Sequence, residues 1–578
     1  MSKFQHAPSR EEIPALESLG VQLHPDTITY INDPQALATA LGGSGFLELF
    51  KNPLVLAAAV SACLGGLLFG FDQGIVSIVL TMKQFLTQFP ETDKTVTSAA
   101  GLNKGVMTAL LELGAFLGAI QAGFLADKYS RKWAIGFGML WFVAGSILQA
   151  AAYQFAQLVV GRFIGGIGIG ILSSCAPMYI SEISPPNIRG ALLVLEAWTI
   201  VFGIVVMFYI TYATRNMIGD WAFRLPFTIQ MAPCVLLAAA LWRLPYSPRW
   251  LAFKGRDEES LTSLMTLRRL PASDPRVQAE WIAIRAEAVR NREVAVEAHP
   301  NLQGDSFGQQ IKLEAATWAD MFKPKFFRKT QIGIMLMFFQ QFVGINALIY
   351  YSPTLFETLG LDSEMQITLS GILNIVQLGA VTVAFFVTDR VGRKPILIYG
   401  AIGMTISHVV VAGMIGRYQH NWPAYPSQAK AGVAFIFIFM VTYGFGWAPI
   451  PWSMPAEVHD SAHRAKGVAI TTCSNWFNNF IIGLITPPMI QSISYGTFIF
   501  FGAFAAMSLV YTIFFVPETR GRTLEQMDEI FGTHASQENA IATQEIFAII
   551  CGVAQNDTRG DVEDKKVRDI HQEYTVTA

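Results

Sequence analysis

The sequence predicts an all-α integral membrane protein with twelve transmembrane helices in two six-helix halves. Three observations carry that prediction. Of the 578 residues, 52% are hydrophobic and only 15% charged, whereas a soluble chain has nearer a quarter charged. Twelve segments are mainly apolar over the roughly 20 residues a helix needs to cross a bilayer. Three motifs of the first half return, in order, in the second.

The spans centre on Leu67, Phe116, Leu140, Gly166, Phe202, Leu236, Phe342, Leu378, Met404, Phe437, Ile481 and Ser508. Residues 1–52 are polar and irregular, and the first apolar run starts near Pro53. That is too deep and too long for a signal core, so 1–52 reads as a cytosolic N-terminal tail. Helices 1 to 6 fill 53–243. A polar segment, 244–330, rich in Glu, Arg and Ala, reads as a cytosolic linker with short amphipathic helices. Helices 7 to 12 and a following motif fill 331–531. The polar stretch 532–578 reads as a disordered cytosolic tail, which leaves the Asn556 acceptor sequence N-D-T unglycosylated.

Positive charge sets the orientation. The loops after helices 2, 4, 8 and 10 are short and basic (DKYSRK; Arg189; DRVGRK; Arg464 with Lys466), and those after helices 3 and 11 carry almost no charge. The even loops and both termini are therefore expected in the cytosol.

The repeat is specific. GFLADKYSRK (Asp127) returns as FFVTDRVGRK (Asp389), SEISPPNIRG (Glu182) as AEVHDSAHRAKG (Glu457), and PYSPRW (Pro245) as PETRGR (Pro517), at offsets of 262, 275 and 272 residues. Two parallel repeats about a central site are a transporter architecture, worked by rocking one half against the other.

Other classes find little support. Lys plus Arg (41) nearly balance Asp plus Glu (43), without the basic excess of a nucleic-acid binder. Cys63, Cys175, Cys234, Cys473 and Cys551 lack metal-ligand spacing. The nearest histidines, His459 and His463, have no third ligand in sight. No phosphate loop, nucleophile elbow or triad emerges. Neither enzyme activity, metal nor cofactor is expected.

Together the segments GFDQG, GFLADKYSRK, GRFIGGIGIG, SEISPPNIRG, PYSPRW, QQFVGINALIYYS, DRVGRK, PIPWSMPAE, SNWFNN and PETRGR resemble the sugar porters of the major facilitator superfamily, in their fungal branch, from about Pro53 to Phe531. The resemblance implies the two-half major facilitator fold, alternating access, a sugar held near the midplane and the plasma membrane as location. Tyr246, where the family usually has Glu, and Ser130, where Gly is common, depart from its pattern and are expected to alter the cytosolic latch.

A sugar presents hydroxyls that both donate and accept, and C–H patches. Side-chain amides match the first and an indole matches both. Buried polar groups in membrane helices are expensive without partners, so clustered amides suggest a polar cavity. Helix 7 carries Gln340, Gln341 and Asn346. These do not share one narrow face of an ideal helix, but Gly344 permits unwinding there, and irregular backbone is tolerated where it lines a cavity. Helix 11 carries Asn475 and Asn479, four apart on one face. Helix 10 carries Trp452 between prolines that disrupt regular helix. By resemblance these match the family's sugar-binding residues, as does Gln377 in helix 8 where Asn is often found. Ala197 falls where many members have Gln, beside the ionisable Glu196. Interhelical hydrogen bonding alone is the plainer alternative. Tyr350 and Tyr351 resemble an extracellular gate just outward of the site, or else belong to an interfacial aromatic belt.

Asp72 lies inside the apolar run of helix 1, where an unpaired carboxylate is costly, and by resemblance it faces Arg162 of helix 4. A pair whose separation changes with sugar binding would couple proton uptake to conformation, giving proton symport. A permanent structural pair would leave a facilitative uniporter. Glu112 in helix 2 is a second intramembrane acid, a proton site or a structural hydrogen-bonding group. By resemblance, Asp127, Arg131, Glu182, Arg189, Asp389, Arg393, Glu457, Arg464 and Glu518 form salt bridges between the halves at the cytosolic face. The partners expected are thus a monosaccharide, protons and the bilayer. A non-transporting sugar sensor is the reading from another class.

Overall fold

The computed structural model describes residues 19–42, 50–302, 304, 306–459, 463–520, 524–532 and 535–551. Asn556 and the side chain of Asp389 lie outside that set. Among the described residues every regular element is helical. Twelve helices are long and apolar enough to cross a membrane: Pro53–Val79, Ala100–Tyr129, Arg131–Ala150, Phe155–Ile183, Arg189–Thr214, Trp221–Leu241, Pro324–Glu357, Ser363–Thr388, Arg393–Tyr418, Pro426–Val458, Arg464–Ile493 and Gly496–Phe515. These are helices 1 to 12.

Local sequence explains several boundaries. Proline starts helices 1, 7 and 10, at a position where its missing N–H costs nothing. The Asp362 carboxylate accepts from the Met365 N–H and caps helix 8. Helix 7 is broken as its glycine foretold: Pro324–Phe342 ends, Gly344 takes a left-handed φ of 92°, and Ile345–Glu357 continues. A Cβ at Gly344 would lie 2.8 Å from the Phe501 ring, so shape and backbone both demand glycine. Helix 10 is a correction to the sequence reading. The irregular part is a π-helical turn at Tyr443–Trp447, upstream of the prolines, and Trp452 sits in a regular helix, Ile450–Val458. Pro449 and Pro451 fall at the start of that helix, where they are tolerated.

Within the first half, helix 2 packs against helix 4, helix 3 against helix 4, and helix 1 against helix 5; in the second, helix 9 packs against helices 10 and 12 and helix 7 against helix 11. The halves meet along helix 2 with helix 11, helix 5 with helix 8, and helix 1 with the second part of helix 7.

The linker forms helices Asp257–Arg268, Pro275–Ala298 and Phe307–Asp320. Two expectations about the tails change. The N-terminal tail holds short helices, Pro25–Asn32 and Pro34–Ala40, and Thr27 Oγ1 donates to Gln278 Oε1 of the linker at 2.8 Å. Beyond Phe531 the chain is not uniformly disordered: Ala535–Ile550 is helical, and its Ile546 and Ile550 are buried in one apolar cluster with Trp281 and Ile282. Both segments gain order by covering an apolar linker face that no local pattern in the tails reveals.

Candidate functional site

The helix 7 break brings the amides together. Asn346 Nδ2 donates to Gln341 Oε1 at 2.6 Å across Gly344. Gln340 Nε2 donates to the Trp447 carbonyl at 2.8 Å, in the π-turn of helix 10. Its Oε1 accepts from Asn475 Nδ2 at 2.9 Å. Gln340, Gln341, Asn346, Gln377, Asn475 and Asn479 are all buried. Two acceptors in this set, Gln377 Oε1 and Asn479 Oδ1, are buried without a hydrogen-bond partner. Buried amides are normally satisfied, so both oxygens are open to a donor that the protein itself does not supply. Trp452, the seventh expected member, is 37% exposed.

Sequence reasoning passed over Trp476, although SNWFNN was in view. Its ring is fully buried, edge-on to Phe69 of the first half at 4.9 Å between centroids. Its indole N–H has no acceptor. The argument used for Trp452, a ring for C–H patches plus a donor, applies more closely to Trp476.

Asp72 and Arg162 meet as expected. Arg162 Nη1 donates to Asp72 Oδ1 at 2.7 Å and to Oδ2 at 2.9 Å, and Arg162 Nε donates to the Met107 carbonyl at 3.2 Å. Both side chains are cut off from solvent, at 0% and 1% exposure.

Glu112 joins the halves. Its Oε1 accepts from the Tyr350 hydroxyl at 2.6 Å and its Oε2 from Asn479 Nδ2 at 2.9 Å. Gln73 Nε2 donates to the Tyr350 hydroxyl at 2.9 Å. Tyr350 is therefore bonded directly to the amide cluster through Asn479, at 3.2 Å. Tyr351 donates to the Gly483 carbonyl at 2.7 Å. Glu196 is buried beside Gly66 of helix 1.

The latch residues differ from expectation. Their described ion pairs lie within each half, not between halves, and they repeat. Arg131 bonds Asp127 and Glu182, each at 2.9 Å, and Ser247 Oγ donates to Glu182 Oε2 at 2.5 Å. Arg393 bonds Glu457 at 3.2 Å, and Thr519 Oγ1 donates to Glu457 Oε2 at 2.5 Å. Glu518 accepts from the Arg393 and Lys394 backbone N–H groups, both at 3.0 Å. Arg189 reaches the Ser184 carbonyl at 3.5 Å, and Arg464 opens helix 11. The reason is geometric: each arginine opens a helix beside the acidic end of another helix of its own half. Ion pairs do cross between halves at the opposite face, Lys94 with Glu357 and Arg215 with Glu364, both at 2.6 Å.

A buried cluster of amides and acids between two repeated six-helix halves is the arrangement of a membrane transporter. The family model described as "Sugar (and other) transporter" matches residues 58–531, and the chain belongs to that family, within the major facilitator superfamily. Its members are transporters, not enzymes. A high-affinity glucose transporter of Kluyveromyces lactis is 32% identical over 485 residues, covering 81% of this chain and 84% of that protein. The high glucose sensor RGT2 of Saccharomyces cerevisiae is 31% identical over 502 residues, covering 84% of this chain and 62% of the sensor. Among solved structures, the proton:xylose symporter XylE bound to 6-bromo-6-deoxy-D-glucose shares the fold, with a TM-score of 0.66 at 24% identity over 83% of this chain and 99% of that one. A partially occluded inward-open form of XylE from E. coli scores 0.65 at 24% identity, over 82% and 100% of the two chains.

Proposed function

We propose that this sugar transporter carries a monosaccharide, hexose or pentose, by alternating access coupled to proton symport, in the plasma membrane with both termini cytosolic. The observation that carries the substrate reading is the buried amide cluster with its two unpartnered acceptors, Gln377 Oε1 and Asn479 Oδ1. Asn479, whose NH₂ is held by Glu112 and Tyr350, keeps its oxygen for a hydroxyl. The relatives described as glucose transporters support the same class of substrate.

Coupling rests on the Asp72–Arg162 pair. A lone charge buried in the membrane is expensive, so neither Asp72 nor Arg162 leaves the other without a new partner, and for Asp72 that partner is a proton. One proton driven by about 100 mV and one pH unit supplies roughly 3.7 kcal/mol, enough for several-hundred-fold accumulation. The residues that hold sugar and proton lie in helices of opposite halves, which is the arrangement that rocking requires.

Uptake of labelled glucose, xylose and a polyol, with external pH recorded, tests both parts in wild type and Asp72→Asn. Sugar-induced alkalinisation in wild type, lost in Asp72→Asn while exchange survives, is the expected result. Uptake without pH change, unaltered by the substitution, would leave a facilitator with a structural pair. Binding without uptake would favour the sensor reading that the RGT2 similarity keeps open.

A further inference from the structure

Glu112 is 1% exposed and lies in the first half, yet both its oxygens are taken by groups of the second half. The group of Asn479 that faces Glu112 is the NH₂, which donates to Oε2 at 2.9 Å. The second donor of that NH₂ points to the Tyr350 hydroxyl at 3.2 Å. With both donors spent, Asn479 Oδ1 is turned away and left without a partner. A flipped amide would set its oxygen against Glu112 Oε2, which accepts in this arrangement, and lose both bonds that the NH₂ now makes. Gln73, also of the first half, donates to the Tyr350 hydroxyl, so that hydroxyl directs its own proton to Glu112.

Building on the sugar reading above, we infer that Glu112 is a positioning residue for substrate recognition. From one half it locks the Asn479 amide of the other, so that Oδ1 is presented as an acceptor to one hydroxyl of the sugar. This acceptor is oriented only while the halves are together at Glu112. When they part, the amide is free to flip and that hydroxyl is no longer selected.

The test uses the full chain in proteoliposomes, with glucose and its monodeoxy analogues competing for labelled glucose. A site built to accept from a hydroxyl rejects the analogue lacking it, by about tenfold for one hydrogen bond. Wild type is expected to reject one analogue to that degree. Glu112→Gln, whose amide can face Asn479 either way, is expected to narrow the ratio for that analogue to about twofold and leave the other ratios unchanged. Asn479→Ala should lose the same ratio, and adding Glu112→Gln to it should change nothing further. Glu112→Asp, which keeps the carboxylate, should restore much of the selectivity. Glu112→Asn carries the expectation if the Gln variant fails to fold. A uniform fall in affinity for all sugars with ratios intact overturns the inference and leaves sugar transport standing. Failure of wild type to recognise any of these sugars overturns both.

Discussion

Glu518 occupies the space that a side chain on Gly392 would need. A Cβ added at Gly392 would lie 2.8 Å from Glu518 Oε2. Gly392 has φ 106° and ψ 159°, a region that is essentially reserved for glycine. In the first half the equivalent residue is Ser130, at φ 100° and ψ 155°, and the equivalent of Glu518 is Tyr246. The two departures from the family pattern are therefore one. Where the carboxylate caps helix 9 from outside, glycine must stand beside it. Where tyrosine replaces the carboxylate, there is room for a serine that reaches Trp133 N–H itself, at 3.4 Å. Tyr246 accepts instead from the Trp133 indole at 3.0 Å.

Gly392→Ser is thus expected to cost about 1–3 kcal/mol from backbone strain alone, and more from the contact with Glu518. Tyr246→Glu should destabilise on its own and be rescued by Ser130→Gly, a non-additivity visible in thermal midpoints of the purified protein. Additive effects would show that the two positions are independent.

Glu518 also makes stability depend on pH. Burial pushes its carboxyl up, but the backbone N–H groups of Arg520, Arg393, Lys394 and Thr519 outweigh burial and hold it below the ordinary glutamate range. A lowered folded value stabilises above the unfolded one, about 4.3, and that contribution is lost as pH falls through the folded value. Wild type should exceed Glu518→Gln in thermal midpoint near neutral pH, and the two should converge in acid. A constant gap across pH would contradict this.

Helices 2 and 4 approach through reciprocal glycines. A Cβ at Gly166 or Gly170 would meet the Leu111 or Ala115 carbonyl at 2.0 Å, and one at Gly114 or Gly118 would meet the Phe163 or Ile167 carbonyl at 2.2 Å. Small residues are what allow membrane helices to pack this closely. Gly166→Ala should destabilise by about 1–3 kcal/mol or more through overpacking. Gly413→Ala in helix 9, with nothing within 4 Å, should be neutral or mildly stabilising. Equal effects at both sites would remove the packing argument.

The ion pairs Lys94–Glu357 and Arg215–Glu364 hold the halves together at the face reached by the odd loops. Exposed pairs are worth about 0–1 kcal/mol each, enough to bias a reversible closure without trapping it. Lys94→Gln with Arg215→Gln should raise labelling of a Ser77→Cys probe by a membrane-impermeant thiol reagent about two- to fivefold, and high salt should act similarly on the unmodified pairs. Ser77 is 2% exposed, on helix 1 below this face. Unchanged labelling would show that the pairs do not govern closure.

The sequence by itself determined the twelve spans, the duplication and the break at Gly344, while the Asp72–Arg162 partnership came from the family resemblance. The first three depend on composition, a local backbone requirement or a motif that repeats. Only the tertiary structure decided where hydrogen bonds end. That Arg131 and Arg393 pair within their own halves, that Tyr350 bonds Glu112 and Asn479, that Trp476 is the buried indole and that Ala535–Ile550 docks on the linker all depend on contacts between residues far apart in the chain. Glu112 shows the reason most clearly. Its sequence neighbourhood, LLELGAFLG, tells only that a carboxylate is buried. Its partners lie 238 and 367 residues away, and a carboxylate's role is set by the donors that surround it.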